Sequence, residues 1–499
     1  PTQLAELRMY GLSWAIRSKP EWQRKICDPE IIEKWRKEAL EQQESIDLAE
    51  KMTHNMVNYV LTELSGYARL SVVESGIECG PFDAIWYSDR LISNETSKLL
   101  RVAVARPVTD IPDESKDWHP GSNGQVLDLV HPSLYPIIYG RTLAGSNLQP
   151  PQLGDSEHYA NYALSSRFCW LPSDFSVDAT DGLAKLVSPY INNLHPTTHK
   201  PLYRIIESVL SAFIPVFERV LSQINGQDQD LYRDVPPGSG RIKVERTKLL
   251  DEAPKTFPEA HEEYTGELEK MIVPYSLKGK TIQCIIKLAN IRLTPENPEY
   301  KGGSWHVEGM FNERIVASGI YYYEEDNISE SRLAFRVTTG PPVYHEQDDE
   351  LCMDILYGMK RHATPGQITS AGRALAWPNI YQHRVAPFSL VDRTKPGHRK
   401  ILALFLVDPS IAPIPSATTV PPQQADWAFA AMEDARADPG SLFSRLPPEL
   451  SNAIRERLPD AFVARAEAEE YRLRLMKERT RLVEVHDRKL SHSFNMCEH

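Results

Sequence analysis

The sequence predicts an α+β fold, with a β-sandwich or jelly-roll core between helical segments. From about residue 278 to residue 408, short segments rich in Ile, Val, Thr and Tyr follow one another between turn signals. No helical pattern alternates with them, which favours antiparallel sheets over a parallel α/β sheet. The chain before residue 71 and after residue 416 is charged and has the apolar period of helices.

These patterns predict three parts. Residues 1–250 form a mainly helical region packed on the core, residues 251–415 form the β core, and residues 416–499 form a helical tail. Within the first part, helices are expected over 21–52, 53–70 and 202–224, with a kink at Pro215. Loops and short strands are expected over 71–200, which is rich in Pro, Gly, Ser and Asn. Residues 228–252 are polar and turn-forming, which suggests a surface loop or a lid.

Composition limits the class of protein. The 499 residues include 56 Lys+Arg and 68 Asp+Glu, for a formal net charge of −12, which disfavours attraction to nucleic-acid phosphates. No apolar run is long enough to span a membrane, and the first residues lack the pattern of a secretory signal. The six cysteines are scattered without a C-x-x-C pair. A reducing, cytoplasmic compartment is therefore expected.

A His-x-Glu pair enters the β-rich region in the segment Gly302–Gly309. Alternation along a strand puts His306 and Glu308 on one face, so both can bind one metal ion. His383 lies several strand-like segments later and can return opposite the pair. Two imidazoles and one carboxylate suit Fe(II) and leave positions open for an oxidant and a co-substrate. The histidines at 345, 362 and 398 are interpreted as bystanders.

Arg399 begins an apolar strand shortly after His383, beyond a loop that contains Pro and Gly. Its guanidinium can hold a carboxylate by two parallel hydrogen bonds, as the distal carboxylate of 2-oxoglutarate requires. Arg393 lies in the loop and Lys400 points to the opposite strand face, so both are weaker candidates.

Four further residues are candidates for the wall of a substrate site: Tyr322, Leu333, Phe335 and Arg336. Tyr322 is the central residue of an aromatic run, and packing in the core is its main alternative role. Arg336 is a charge in an apolar strand and would bind a substrate carboxylate if it faced inward. Lys287 and Asn290 are comparable, weaker candidates.

Several segments of the chain resemble a fungal family described only as a domain of unknown function. These segments are IIKLANIRLTPENPEYKGGSWHVEGMFNERIVASGIYYYEEDNISESRLAFR, YQHRVAPF, GHRKILALFLVDP, DLVHPSLYPIIYGRT and FCWLPSDFSV. The family is similar to Fe(II)/2-oxoglutarate-dependent oxygenases with a double-stranded β-helix core, so the resemblance implies an oxidoreductase that uses O2.

The resemblance implies His306, Glu308 and His383 as iron ligands and Arg399 as the 2-oxoglutarate anchor. Glu308 departs from the commoner pattern, in which Asp is the carboxylate ligand. One branch of the family resembles oxygenases of secondary metabolism that oxidise a small aliphatic amino acid such as valine and close an aziridine. The resemblance therefore makes a small molecule, with an amino acid as one candidate, the expected substrate.

Three alternatives remain open. A non-catalytic jelly-roll binding protein would need no metal, and a zinc or manganese cupin hydrolase or isomerase would need no ketoacid anchor. A protein or peptide hydroxylase would need a docking surface, for which residues 228–252 are the candidate. The sequence does not indicate an oligomeric state.

Overall fold

A computed structural model describes residues 3–46, 51–109, 116–144, 148–152, 162–230, 241, 259–337, 350–357 and 366–490. Most of the expected loop over 228–252 lies outside the described residues, as do His345 and His362.

The helices at both ends of the chain match its periodic segments, whereas Asn94–Thr109 lies where loops and short strands were expected and Glu350–Tyr357 lies within the expected β region. In chain order they are α1 Leu4–Arg17, α2 Trp22–Lys25, α3 Pro29–Gln42, α4 His54–Leu70, α5 Asn94–Thr109, α6 Lys200–Asp230, α7 Glu267–Lys270, α8 Glu350–Tyr357, α9 Ala425–Ala437, α10 Pro448–Ala461 and α11 Arg465–Leu490.

Local chemistry explains where some of these helices begin. The single helix expected over 21–52 is broken, because Asp28 caps a new helix by accepting a hydrogen bond from the Glu30 backbone N–H. Pro29 occupies the first position of α3, where a missing N–H is tolerated. Thr53 caps α4 in the same way, accepting from the Met56 N–H at 3.1 Å. The long helix α6 continues through Pro215.

The strands are concentrated in the expected β region, and short ones precede it. They are β1 Glu78–Cys79, β2 Trp86–Ser88, β3 Val126–Val130, β4 Ile137–Ile138, β5 Phe168–Cys169, β6 Ser173–Val177, β7 Ala184–Leu186, β8 Thr281–Leu293, β9 Glu299–Tyr300, β10 Ile315–Asp326, β11 Ser331–Arg336, β12 Gly366–Thr369, β13 Ala374–Pro378, β14 Gln382–Val385, β15 Phe388–Ser389 and β16 Gly397–Val407.

Antiparallel pairing joins these strands into one large sheet and smaller ones. The large sheet has the order β1-β2-β13-β10-β16-β8-β6-β7, and β3 also pairs with β8. A second sheet has the order β12-β11-β14. The large sheet contains β8, β10, β13 and β16. The second sheet consists of β11, β12 and β14, which lie between β10 and β16 in the sequence. The expected mixture of helices and antiparallel sheets is therefore confirmed.

Alternation on β16 separates the two faces of the large sheet. Ile401, Ala403 and Phe405 pack toward the second sheet, in a cluster with Leu333 and Phe335. Leu402, Leu404 and Leu406 face the other way and belong to the cluster that contains the apolar side of α6. The large sheet is thus buried on both faces, and its inner face lines the space between the sheets.

Helix α6 crosses the outer face of the large sheet at Gly319. A Cβ atom at this position would lie 2.8 Å from Phe213 Cε1 and 3.0 Å from Phe217 Cζ, closer than van der Waals contact allows. Glycine therefore permits the close approach of helix and strand.

Helix α11 contacts both sheets. Arg472 donates to Asp117 at 2.6 Å and pairs with Asp128 near β3, while Leu475 is buried in the inner cluster. Farther along the helix, Asp487 pairs with Arg336 of β11. The division at residues 250 and 415 stays a prediction; strands from the first 250 residues extend the large sheet.

We expect Gly319→Val to lower the free energy of unfolding by about 1–3 kcal/mol, because the added side chain overlaps the rings of Phe213 and Phe217. Urea titration would measure the change. Gly11→Ala is the control, since nothing lies within 4 Å of a Cβ there, and alanine should stabilise α1 by about 0.5–1 kcal/mol. A Gly319→Val protein as stable as the wild type would contradict the close helix–sheet contact.

Candidate metal centre

Main-chain pairing brings the His-x-Glu segment beside β14. The His383 N–H donates to the His306 carbonyl at 2.9 Å, and the His306 N–H donates to the His383 carbonyl at 3.2 Å. The glycines before His306 allow this approach. Gly302 has φ +88°, and a Cβ there would lie 2.8 Å from the Val385 carbonyl oxygen. The Gly-Gly sequence therefore positions the first histidine.

Three side chains converge at this bridge. The Glu308 Oε1 atom lies 3.6 Å from His306 Nε2 and 3.4 Å from His383 Nε2. The two imidazole rings are 4.4 Å apart between centroids. The donor atoms of the three residues all lie within 4.8 Å of one another. The residues that the His-x-Glu pattern and the later histidine predicted are thus brought together, with donors suited to a metal ion.

Hydrogen bonds orient two of these residues. His306 Nδ1 lies 2.8 Å from the Ser304 carbonyl, which only accepts, so Nδ1 carries the proton and Nε2 is free to bind a metal. The Glu308 backbone N–H donates to Asn379 Oδ1 at 2.9 Å, and Asn379 Nδ2 returns a bond to the Glu308 carbonyl at 2.8 Å. Asn379 was not predicted, because its partner is distant in the chain.

Aromatic side chains enclose His383, whose side chain is 4% exposed. Its ring lies 4.9 Å from Trp377 and 6.5 Å from Phe335, measured between centroids. Phe335 also pairs with His383 across β11 and β14. This apolar wall keeps water from one side of the cluster.

Burial and mutual charge set the protonation states. Burial raises the pKa of Glu308, but hydrogen bonds and charge from His306 and His383 outweigh it and hold this pKa well below its usual range. Burial and the charge of His306 lower the pKa of His383. Burial also lowers the pKa of His306, but the Glu308 carboxylate outweighs it and raises that pKa. The cluster thus contains an ionised carboxylate and a histidine that favours the neutral form, as ligands must.

Arg399 is buried in the same interior, 1% exposed. One terminal nitrogen donates to the Ser331 hydroxyl, and its guanidinium lies 4.2 Å from the ring centroid of Tyr322. The Nε and NH2 groups have no hydrogen-bond partner among the described residues. Unpaired buried donors are costly, so this guanidinium is well suited to bind an anion.

The four candidate substrate residues occupy different places. Leu333 and Phe335 face the interior, and Tyr322 lies beside Arg399. Arg336 faces the opposite side of β11, where it donates to Gln382 Oε1 at 2.6 Å and pairs with Asp487. Arg336 therefore does not face inward, as its predicted role required.

Three other basic residues of this region have partners away from the cluster. His398 Nε2 lies 2.7 Å from Glu324 Oε1, and Lys400 Nζ lies 2.8 Å from the same oxygen. Arg393 pairs with Glu299 at 2.9 Å.

A second group of potential ligands was not predicted: His119, Asp128 and His131, whose donor atoms also lie within 4.8 Å of one another. His119 Nδ1 lies 2.7 Å from Asp128 Oδ2, and Arg472 pairs with the same oxygen. The Ser133 N–H donates to His131 Nδ1 at 3.1 Å. Because a guanidinium already neutralises the carboxylate, this group is less suited to a cation than the His306–Glu308–His383 cluster.

Fold and site together define a mixed α/β protein with antiparallel sheets and a cluster of two histidines and one glutamate between strands. The chain belongs to the family described as protein of unknown function (DUF4246), which matches residues 54–431. The N-terminal domain of the same family, also of unknown function, matches residues 1–38. No curated protein matches the sequence. No helix among the described residues is long and apolar enough to cross a membrane.

Solved structures with some similarity include the Fe(II)/(alpha)ketoglutarate-dependent dioxygenase TqaL, at 9% identity, 78% coverage of this chain, 90% of that chain and a TM-score of 0.27. AviO1 from Streptomyces viridochromogenes Tue57 has 10% identity, 67% and 93% coverage and a TM-score of 0.23. IDO from Bacillus thuringiensis has 8% identity, 47% and 72% coverage and a TM-score of 0.22. TM-scores this low support no conclusion about fold or function.

We expect the affinity for Co(II) to fall by about tenfold per pH unit below the pKa of His306, because the ion must displace a proton from this imidazole. Since the pKa of His306 is raised, the fall begins at higher pH than for an ordinary histidine, while Glu308 stays ionised. Calorimetry between about pH 6 and about pH 8 would measure it. A flat affinity over that range would contradict proton release from His306.

Proposed function

We propose that this protein is an Fe(II)- and 2-oxoglutarate-dependent oxygenase that oxidises a C–H bond of a small molecule. The observation that carries the proposal is the combination of the His306–Glu308–His383 cluster with a buried guanidinium, Arg399, that has two unpaired donor groups in the same interior. Ligands for a metal and an anchor for a carboxylate are the two parts that such chemistry requires.

The strand order supports a double-stranded β-helix, or jelly roll, as the core of the proposed enzyme. Strands β8, β16, β10 and β13 are adjacent in the large sheet, and β14, β11 and β12 are adjacent in the second. The His306–His383 bridge adds the ligand segment beside β14. In chain order, β8 and β10 of the large sheet precede β11 and β12 of the second, and β13, β14 and β16 then alternate between the two sheets, an interleaving of the kind found in a jelly roll.

The donor set suits Fe(II). His306, Glu308 and His383 would supply two nitrogens and one oxygen, which leaves positions for a chelating co-substrate and O2. Glu308 has a longer side chain than the commoner aspartate ligand. Two hydrogen bonds with Asn379 fix the Glu308 backbone, so its carboxylate is positioned beside both imidazoles.

The environment of Arg399 suits the distal carboxylate of 2-oxoglutarate. Its Nε and NH2 groups lie on one edge of the planar guanidinium and can form two parallel hydrogen bonds. Ser331 and the ring of Tyr322 hold the guanidinium in place. A zinc or manganese hydrolase would have no use for such an anchor, so this observation favours the oxygenase.

Bound Fe(II) and 2-oxoglutarate would supply the chemistry by which O2 oxidises a substrate C–H bond. The protein's own contribution would be orientation and exclusion of water. Trp377 and Phe335 cover His383, and Leu333 lines the same interior. An aliphatic amino acid such as L-valine is the substrate suggested by sequence resemblance, with hydroxylation or C–N closure to an aziridine as the outcome.

We expect His383→Ala to weaken Co(II) binding by more than about tenfold, because a chelate of three ligands loses one. Visible absorption of the bound Co(II) would report both affinity and coordination. His398→Ala is the matched control, since His398 pairs with Glu324 instead. Equal binding by wild type and His383→Ala would argue against the metal centre.

We expect Arg399→Met to weaken anaerobic 2-oxoglutarate binding by about 100-fold or more, since two charged hydrogen bonds contribute about 1.5–3 kcal/mol each. Co(II) affinity should stay unchanged, because Arg399 is not a ligand. Arg393→Met is the control, since this arginine pairs with Glu299 at the surface. Unimpaired 2-oxoglutarate binding in Arg399→Met would favour the hydrolase alternative.

A further inference from the structure

We propose that Lys287 is a second anion-binding group of the interior and binds a carboxylate of the substrate. The inference rests on the proposed oxygenase function and identifies the class of substrate as a carboxylic acid. It depends on three features of Lys287: the face of the sheet that it occupies, its lack of a partner, and its distance along the sheet from Arg399.

The register of the large sheet places Lys287 on the inner face. Lys287 pairs with Ala403 across β8 and β16. Residues that pair in a sheet point to the same face, and Ala403 belongs to the inner cluster together with Ile285. Ala403 has a short side chain, which leaves space beside the lysine stem. The ammonium therefore extends into the space between the two sheets.

The side chain of Lys287 is half-buried, and its ammonium takes part in no ion pair or side-chain hydrogen bond within the described part of the chain. One oxygen of the Asp128 carboxylate, on the neighbouring strand β3, is already engaged, while its Oδ1 atom has no hydrogen-bond partner among the described residues. Asp128 is paired with Arg472 and with His119 at 2.7 Å. An ammonium that is removed from water without a counter-ion is unfavourable unless a ligand provides one.

The inner face of β8 leads to the candidate metal centre. Ile285, on the same face of β8 as Lys287, belongs to the cluster that contains Phe335 and Trp377. These two rings lie beside the ring of His383. A ligand near the metal would therefore lie against the face of the sheet that carries Lys287.

Lys287 and Arg399 lie at different positions along the direction of the strands. Arg399 pairs with Ile291, four positions along β8 from Lys287, which corresponds to about 13 Å at the rise of a strand. Two cations at different levels can bind two separate carboxylates. With Arg399 assigned to 2-oxoglutarate, Lys287 is left for the substrate.

The test compares acids with their amides. Wild type, Lys287→Met and Lys185→Met, each as the full chain with Mn(II) and 2-oxoglutarate without O2, would be titrated calorimetrically with the twenty L-amino acids, short aliphatic acids and the corresponding amides. Lys185 is an exposed lysine of β7 in the same sheet and serves as the control. Titration with 2-oxoglutarate alone would follow for each protein.

We expect at least one acid to bind wild type and Lys185→Met about tenfold or more tightly than its amide. Lys287→Met should lose that preference and keep its affinity for 2-oxoglutarate within about threefold. Its thermal unfolding midpoint should not fall, because methionine replaces an unpaired buried charge, so lost binding would not reflect unfolding.

Two results would overturn the proposal. The first is the absence of any acid-over-amide preference in wild type, or a preference that persists in Lys287→Met. The second is a loss of 2-oxoglutarate affinity in Lys287→Met, which would assign the lysine to the co-substrate. Failure of wild type to bind Mn(II) and 2-oxoglutarate would instead refute the oxygenase function, while a preference that depends on Lys287 would still establish the carboxylate site.

Discussion

The main-chain pairing between His306 and His383 is the contact on which the candidate site depends. It consists of two hydrogen bonds between segments that are far apart in sequence, and it holds both imidazoles beside Glu308. Gly302 makes it possible, because a side chain there would collide with the Val385 carbonyl. A displacement of either segment would separate the donor atoms without changing any ligand residue.

The buried cations near the sandwich interior differ in how fully they are paired. Arg472 is neutralised by Asp117 and Asp128, and Arg479 pairs with Glu313 and lies over Trp170. Arg399 keeps two unpaired groups, against one, Nε, on each of Arg472 and Arg479, and the Lys287 ammonium takes part in no ion pair among the described residues. The paired arginines belong to α11 and attach it to the sheets, so their role is structural. Arg399 on β16 and Lys287 on β8 lie at the inner face, where an anionic ligand would supply the missing counter-charge.

Helix α11 links stability to the proposed site. Although its sequence is highly charged, Arg472, Leu475 and Leu482 of this helix are buried. At its far end Asp487 pairs with Arg336, whose guanidinium lies 4.8 Å from the Trp305 ring centroid. Because Trp305 precedes His306, the helix supports the ligand segment from outside the sandwich.

The sequence alone determined the β segments, the helices at both ends and the grouping of His306, Glu308 and His383, because these depend on local periodicity and on residue types of restricted use. Period-two alternation puts Leu333 and Phe335 on one face of β11 and Arg336 on the other, which the prediction of one substrate site for all three did not take into account. Only the tertiary structure decided that Arg336 is neutralised by Asp487, that Asn379 holds Glu308, and that Asp128 pairs with Arg472. Each of these contacts joins residues that are distant in the chain. Neither composition nor spacing specifies which distant residue will lie beside a given side chain.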